Sequence, residues 1–99
     1  MYGLSEKTIA AIQGVLIKYP GIEKVVLYGS RAKGNFRNGS DIDLVLIGEK
    51  LTLSDQFKIE TELDDLLLPY KIDLVLYKQI DNRNLIDHIN RVGLTFFEK

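Results

Sequence analysis

The chain has 99 residues, of which 45% are hydrophobic and 27% charged, and this length supplies one core, so residues 1–99 are predicted to form a single domain. Cysteine is absent, which excludes disulfides and thiolate metal sites, and a net charge of -1 argues against direct nucleic-acid binding. No apolar run approaches the roughly 18 residues of a membrane span and no signal pattern opens the chain, so we expect a cytoplasmic protein without membrane contact.

The first half of the chain reads as a helix followed by two strands. Ser5 is predicted to cap a helix that ends at Pro20. Residues 22–28 are rich in β-branched residues and end in a continuous apolar run at residues 25–28, which is typical of an interior strand covered on both faces. Residues 29–39 are predicted to form a loop with at most one helical turn, and residues 41–47 the next strand.

The second half continues this alternation. Thr52 is predicted to cap a helix that stops before Pro69, a strand follows over residues 71–77, and Asn82 caps a last helix. Residues 94–97 are expected to add a short edge strand. The inward side of the middle helix is assigned to Phe57, Leu63, Leu66 and Leu67. The order of elements predicts an α/β (α+β) fold in which helices flank a small mixed sheet of three to four strands.

Three acids stand in otherwise apolar strands. Asp41 and Asp43 are two residues apart, so their side chains leave the same face of a strand with Cα atoms about 6.5 Å apart. Asp73, near the start of the next strand, is expected to lie beside them. Three adjacent carboxylates repel unless a cation neutralises them, and oxygen-only ligands favour Mg²⁺ or Mn²⁺. The alternative is that Asp41 ends a turn and the other two acids face solvent.

The loop between the first two strands is rich in small and basic residues. Glycine at positions 29 and 34 permits close approach of the backbone to a phosphate, and the only charges from Gly29 to Ser40 are Arg31, Lys33 and Arg37. A Walker loop is excluded because Asn35 and Phe36 occupy the positions of its lysine and hydroxyl residue. Basic loop and acidic strand together indicate a nucleotide site, although simple turn chemistry and solvated cations are the alternative for each residue alone.

These residues resemble a known signature. Gly29-Ser30-Arg31-Ala32-Lys33-Gly34, followed by Ser40-Asp41-Ile42-Asp43-Leu44, looks like the motif of the DNA polymerase beta-like nucleotidyltransferase superfamily. The short chain is most similar to the minimal nucleotidyltransferases (MNT), which are the antitoxins of HEPN/MNT toxin–antitoxin pairs.

The resemblance implies a role for each motif residue. Gly29 and Ser30 would bind the triphosphate of ATP, with Arg31, Lys33 and Arg37 as the nearby cations. The metal-binding and catalytic acids would be Asp41, Asp43 and Asp73. Lysine stands at position 33 where the family often has arginine, which keeps the charge but loses the bidentate fork.

The resemblance also implies a reaction, in which AMP moves from ATP to a tyrosine of a partner HEPN toxin, an RNase, within a hetero-oligomer. Asp73 would help to remove the proton of the phenol. Two other hypotheses stay open at this point. The chain could act as an antitoxin by binding alone, or it could transfer a nucleotide to a small molecule such as an aminoglycoside.

Three further features are assigned ordinary roles. His88 is expected to be solvated, so that His88→Ala leaves transfer intact, and Tyr28 is expected to be a packed aromatic rather than an acceptor. A C-terminal apolar group is interpreted as core packing in preference to a docking patch; it consists of Leu94, Phe96 and Phe97.

Overall fold

The computed structural model describes residues 1–99, and every predicted element is present. The helices are α1 (Glu6–Leu16), α2 (Ser30–Lys33), α3 (Leu53–Asp64) and α4 (Arg83–Val92). The strands are β1 (Lys24–Tyr28), β2 (Ile42–Ile47), β3 (Ile72–Leu76) and β4 (Leu94–Glu98). None of the helices combines the length and the apolar composition that crossing a bilayer requires.

The three long helices begin at the predicted caps. The amide of Thr8 donates to Oγ of Ser5 at 3.1 Å, and Asn82 accepts from two amides of α4 through its side-chain oxygen. Thr52 and Asp55 form the predicted capping box, in which each side chain accepts from the other residue's amide. Each such cap satisfies amides that the helix itself leaves unpaired and contributes about 1 kcal/mol.

The four strands form one mixed sheet in the order β3-β2-β1-β4. β1 is antiparallel to both of its neighbours, whereas β2 and β3 are parallel and are joined through α3. The interior position of β1 and the mixed sheet of four strands agree with the prediction. The register pairs Tyr28 with Asp43 and Asp43 with Asp73, so two of the three acids stand side by side.

The two faces of the sheet are packed very differently. The α1–α3 face lies under α1 and α3 and belongs to a cluster of 16 buried apolar residues, among them Val25, Leu44 and Leu74. The α4 face is covered by α4 and by the short helical turn at residues 77–79, with a cluster of four buried residues: Val26, Tyr28, Val45 and Ile89. Successive strand residues alternate between faces, so Asp43 and Asp73 lie on the α4 face.

The inward side of α3 differs from the prediction. Ile59 and Leu63 are buried, whereas Phe57 is 63% exposed and Leu67 is 88% exposed. The physical reason is the helical period, because Phe57 is two residues from Ile59 and therefore lies on nearly the opposite side of the helix. Leu67 lies beyond the end of α3 and has a positive φ of 55°. The prediction was wrong for Phe57 and Leu67.

The C-terminal apolar residues mostly pack as predicted. Phe96 is 4% exposed and belongs to the large cluster, and Phe97 packs against the same cluster. Leu94, at the start of β4, remains 40% exposed. Packing is therefore confirmed for the two phenylalanines.

Candidate active site

The three predicted acids lie near one another at one end of the parallel pair β2–β3. Asp43 and Asp73 are register partners, and Asp41 directly precedes β2. Asp43 is half-buried, while the other two acids are exposed. Burial raises the pKa of Asp43, and the negative charges of Asp73 and Asp41 raise it further. The fold therefore holds Asp43 where its charge is unfavourable.

The donor chemistry of this acid group fits Mg²⁺ or Mn²⁺. All of its ligand atoms are carboxylate oxygens, which hard cations prefer. No three acidic or histidine side chains already enclose a common point, so the protein does not supply a complete cage. Mg²⁺ commonly takes one or two carboxylates and completes its shell with water and substrate phosphates. The acids therefore suit an ion that arrives together with a nucleotide.

The turn at Gly29 packs directly against the central acid. Gly29 has φ of 75°, and a Cβ added at this position would clash with Oδ2 of Asp43. Both observations require glycine here. The amides of Ser30, Arg31 and Ala32, which follow the turn, donate to no acceptor in the protein. Uncommitted donors thus lie close to the acids, as a phosphate-binding turn requires.

Arg31 has a different place from the one that the sequence predicted. Its side chain is 3% exposed, Nε and Nη2 donate to the carbonyl of Ser40 at 3.1 and 2.9 Å, and Nη1 donates to the carbonyl of Tyr2 at 2.9 Å. The guanidinium carbon lies 5.3 Å from the ring centroid of Phe36 and 4.8 Å from that of Tyr70. Because the guanidinium is buried and bound to carbonyls, its assignment to the triphosphate is revised.

Arg31 instead fixes the shape of the loop. It ties α2 to the carbonyl of Ser40, the residue that precedes Asp41, and to the N-terminal segment. Contact with two aromatic rings adds a cation–π contribution. The loop is closed further by the amide of Arg37, which donates to Oγ of Ser40 at 2.8 Å.

The other two loop cations remain candidates for binding phosphate. Lys33 and Arg37 are exposed, and neither side chain forms an ion pair or a hydrogen bond within the fold. The one cation paired with the acids is Lys71, whose Nζ lies 4.0 Å from Oδ1 of Asp73 at an exposed position. An exposed pair of this kind is weak and leaves Asp73 accessible.

His88 is the site residue that the sequence interpretation missed. It is half-buried, its Nε2 accepts the amide N–H of Gly29 at 3.1 Å, and its ring meets Tyr28 edge-on with centroids 6.2 Å apart. The prediction of a solvated His88 was therefore wrong. Its position three residues after Leu85 and four before Val92 places it on the apolar stripe of α4, and that spacing was the available signal.

Tyr28 is a packed aromatic, as predicted. It is 9% exposed and belongs to the buried cluster of the α4 face. Burial raises the pKa of Tyr28 to about 12, with further contributions from the charges of Asp43 and Asp73. The phenol is therefore held neutral beside the acids.

Residues 10–99 match the family model of Polymerase beta, Nucleotidyltransferase. The relative named "Putative protein adenylyltransferase MJ0141", from Methanocaldococcus jannaschii, is 32% identical over 76 residues, which are 74% of this chain and 77% of the relative. The chain therefore belongs to the polymerase beta nucleotidyltransferase family. The family predicted from the loop and the acids is confirmed.

Solved structures show the same fold. One match is a chain from the structure of tri-AMPylated Shewanella oneidensis HEPN toxin in complex with MNT antitoxin. The alignment covers 100% of our protein and 74% of that chain, with a TM-score of 0.71 and 18% identity. A chain of a toxin–antitoxin structure with AMP-PNP matches 97% of this chain and 75% of its own, with a TM-score of 0.73 and 21% identity. The predicted nucleotidyltransferase fold is confirmed.

Proposed function

We propose that this chain is a Mg²⁺-dependent protein adenylyltransferase that moves AMP from ATP to a tyrosine of a HEPN-domain toxin, and so acts as its antitoxin. The observation that carries the proposal is the packing of the Gly29 turn against Asp43, which itself stands beside Asp73. In a member of the nucleotidyltransferase family, this packing supports the assignment of the turn to phosphate binding and of the carboxylates to the metal. The name of the archaeal relative and the AMPylated toxin in the related complex support this choice of acceptor.

Each residue of the proposed site has a specific role. Asp41 and Asp43 bind Mg²⁺, Gly29 and Ser30 contact the triphosphate, and the exposed Lys33 and Arg37 offset its remaining negative charge. When bound, Mg²⁺ neutralises the triphosphate and stabilises the charge that develops on the leaving group. The raised pKa of Asp43 is consistent with this arrangement, because a bound cation reverses the unfavourable environment of its charge.

The transfer itself is an in-line displacement at the α-phosphorus of ATP. The phenolic oxygen of the acceptor forms a bond to that phosphorus, the bond to the bridging oxygen breaks, and pyrophosphate leaves. Asp73 takes the phenolic proton, because it lies beside Asp43 and its side chain, which is 52% exposed, is accessible to a partner chain. A free phenol has a pKa of about 10, so assistance with proton removal matters at neutral pH.

The acceptor tyrosine is proposed to come from a second chain. The elements of this chain surround a single sheet, and its own Tyr28 is buried and held neutral. The functional unit is therefore a hetero-oligomer with the toxin. The resemblance identifies HEPN toxins as RNases, and an RNase toxin acts on RNA inside the cell. We therefore propose that this pair is cytoplasmic.

Intact mass measurement tests the proposal. The purified chain is incubated with ATP, Mg²⁺ and the HEPN-domain product of the neighbouring gene, and the mass of both chains is recorded. We expect the partner to gain whole AMP units, and we expect no gain with the Asp41→Asn, Asp43→Asn double variant. A stable, silenced complex without a mass gain would instead make this chain a binding antitoxin, and modification of an aminoglycoside without the partner would indicate a small-molecule enzyme.

A further inference from the structure

One hydrogen bond connects α4 to the phosphate-binding turn across 59 residues of sequence. The amide of Gly29 donates to Nε2 of His88 at 3.1 Å. A ring nitrogen that accepts from an N–H must carry its lone pair, so the imidazole is neutral and holds its proton on Nδ1. The bond is therefore specific for one atom and one tautomer of the ring.

The surrounding contacts fix the imidazole in place. The ring of His88 meets that of Tyr28 at 82°, an edge-on arrangement that aromatic pairs favour. The next residue, Ile89, is 4% exposed and packs with Val26 and Val45 on the α4 face. α4 is thereby anchored on the sheet, and His88 reaches the turn from a rigid base.

The bonded residue is the one whose conformation matters most for the site. Gly29 adopts φ of 75° and ψ of -156° and lies against the carboxylate of Asp43. Glycine has many accessible conformations, so a turn that depends on it needs an external restraint to keep one of them. The hydrogen bond from the Gly29 amide to Nε2 of His88 supplies such a restraint.

We propose that His88 is a positioning residue for nucleotide binding: as a neutral acceptor for the Gly29 amide, it holds the phosphate-binding turn at the correct distance from Asp43. It does not contact the substrate, and it neither gives nor takes a proton in the reaction. The inference rests on the proposed function for the identity of the ligand, MgATP. It replaces the expectation that His88 is solvated and that His88→Ala leaves transfer intact.

Calorimetric titration with Mg²⁺ and AMP-PNP tests this inference without turnover. We expect His88→Leu to weaken binding about 5-fold, the usual effect of losing one net hydrogen bond. His88→Gln should stay within about 2-fold of the wild type, because its side-chain oxygen reaches the same N–H. Ile89→Val serves as the matched control; it destabilises α4 by removing one buried methylene without touching Gly29, and its affinity should remain that of the wild type.

The possible results separate the two proposals. No binding of Mg²⁺ and AMP-PNP by the wild type contradicts the proposed function itself. Binding by the wild type and equal binding by His88→Leu overturns the role of His88, as does a Gln variant as weak as the Leu variant. The wild-type protein gives an independent readout, since nitrogen-15 NMR must show the ring proton on Nδ1; a proton on Nε2 would contradict the inference.

Discussion

The two faces of the sheet differ in the number of buried apolar residues and in the polar residues that they carry. The α1–α3 face carries 16 buried apolar residues, whereas the α4 face carries only four, together with two carboxylates and a half-buried histidine. The same strands contribute to both faces, because alternate residues of β2 and β3 point to opposite sides. Stability is therefore concentrated on one side of the sheet, and the proposed chemistry on the other.

This difference explains how a chain of 99 residues accommodates an electrostatically unfavourable site. Asp43 and Asp73 stand side by side, and Asp41 adds a third negative charge nearby. Such an arrangement costs stability in the metal-free protein, and functional sites commonly carry a cost of this kind. The dense opposite face offsets the cost.

The same substitution on both faces provides the first test of the comparison. Val25→Ala on the α1–α3 face should lower the free energy of unfolding by about 2.5 kcal/mol, because the fully buried side chain leaves a cavity. Val75→Ala on the α4 face should cost about 1 kcal/mol, since that side chain is only half-buried. Urea unfolding measures both values. Equal costs would show that the two faces do not differ in the way we describe.

Arg31→Lys tests whether the loop is held by structure rather than by substrate. Lysine lacks the planar fork with which Arg31 bonds two carbonyls and contacts two rings at once, so we expect a loss of about 2 kcal/mol in the free energy of unfolding. Lys33→Gln in the same loop is the control, and it should change stability by less than about 0.5 kcal/mol because Lys33 is exposed. If the order of the two effects is reversed, Arg31 does not brace the loop.

Asp43→Asn should stabilise the metal-free protein at pH 7, since it removes a charge that burial and the neighbouring Asp73 and Asp41 make unfavourable. The pKa of Asp43 is raised in the fold, so its favourable contribution is present below the ordinary pKa of about 3.9 and is lost as pH rises through the raised value. The advantage of the variant should therefore disappear on acidification. Unfolding curves measured over a range of pH with a chelator present will show this, and a variant less stable than the wild type at pH 7 would contradict it.

Much of this architecture could be predicted from local sequence. The caps at Ser5, Thr52 and Asn82 are short-range signals, and each begins a helix as predicted. The acids of the site were recognisable because charged residues in apolar strands break the local pattern. Parallel pairing of β2 and β3 then brings Asp43 and Asp73 together, as expected for neighbouring strands.

The missed features depend on contacts between distant parts of the chain. Arg31 is buried because Tyr2 and Tyr70, which are both distant from it in the sequence, lie against it in the fold, and no local pattern reveals that arrangement. His88 bonds to a residue 59 positions away, although its place on the apolar stripe of α4 was a usable signal. Phe57 was misassigned because it is apolar, although its position along α3 places it on the side of the helix away from the sheet.

The most direct test of the account is the stabilisation of the protein by MgATP. With MgATP at 100 times its dissociation constant, the free energy of unfolding of the wild type should rise by about 2.7 kcal/mol. At the same concentration Asp43→Asn should gain much less, because it has lost the central metal ligand. An equal gain in both proteins would show that the acids of the α4 face do not form the site for the metal and the nucleotide.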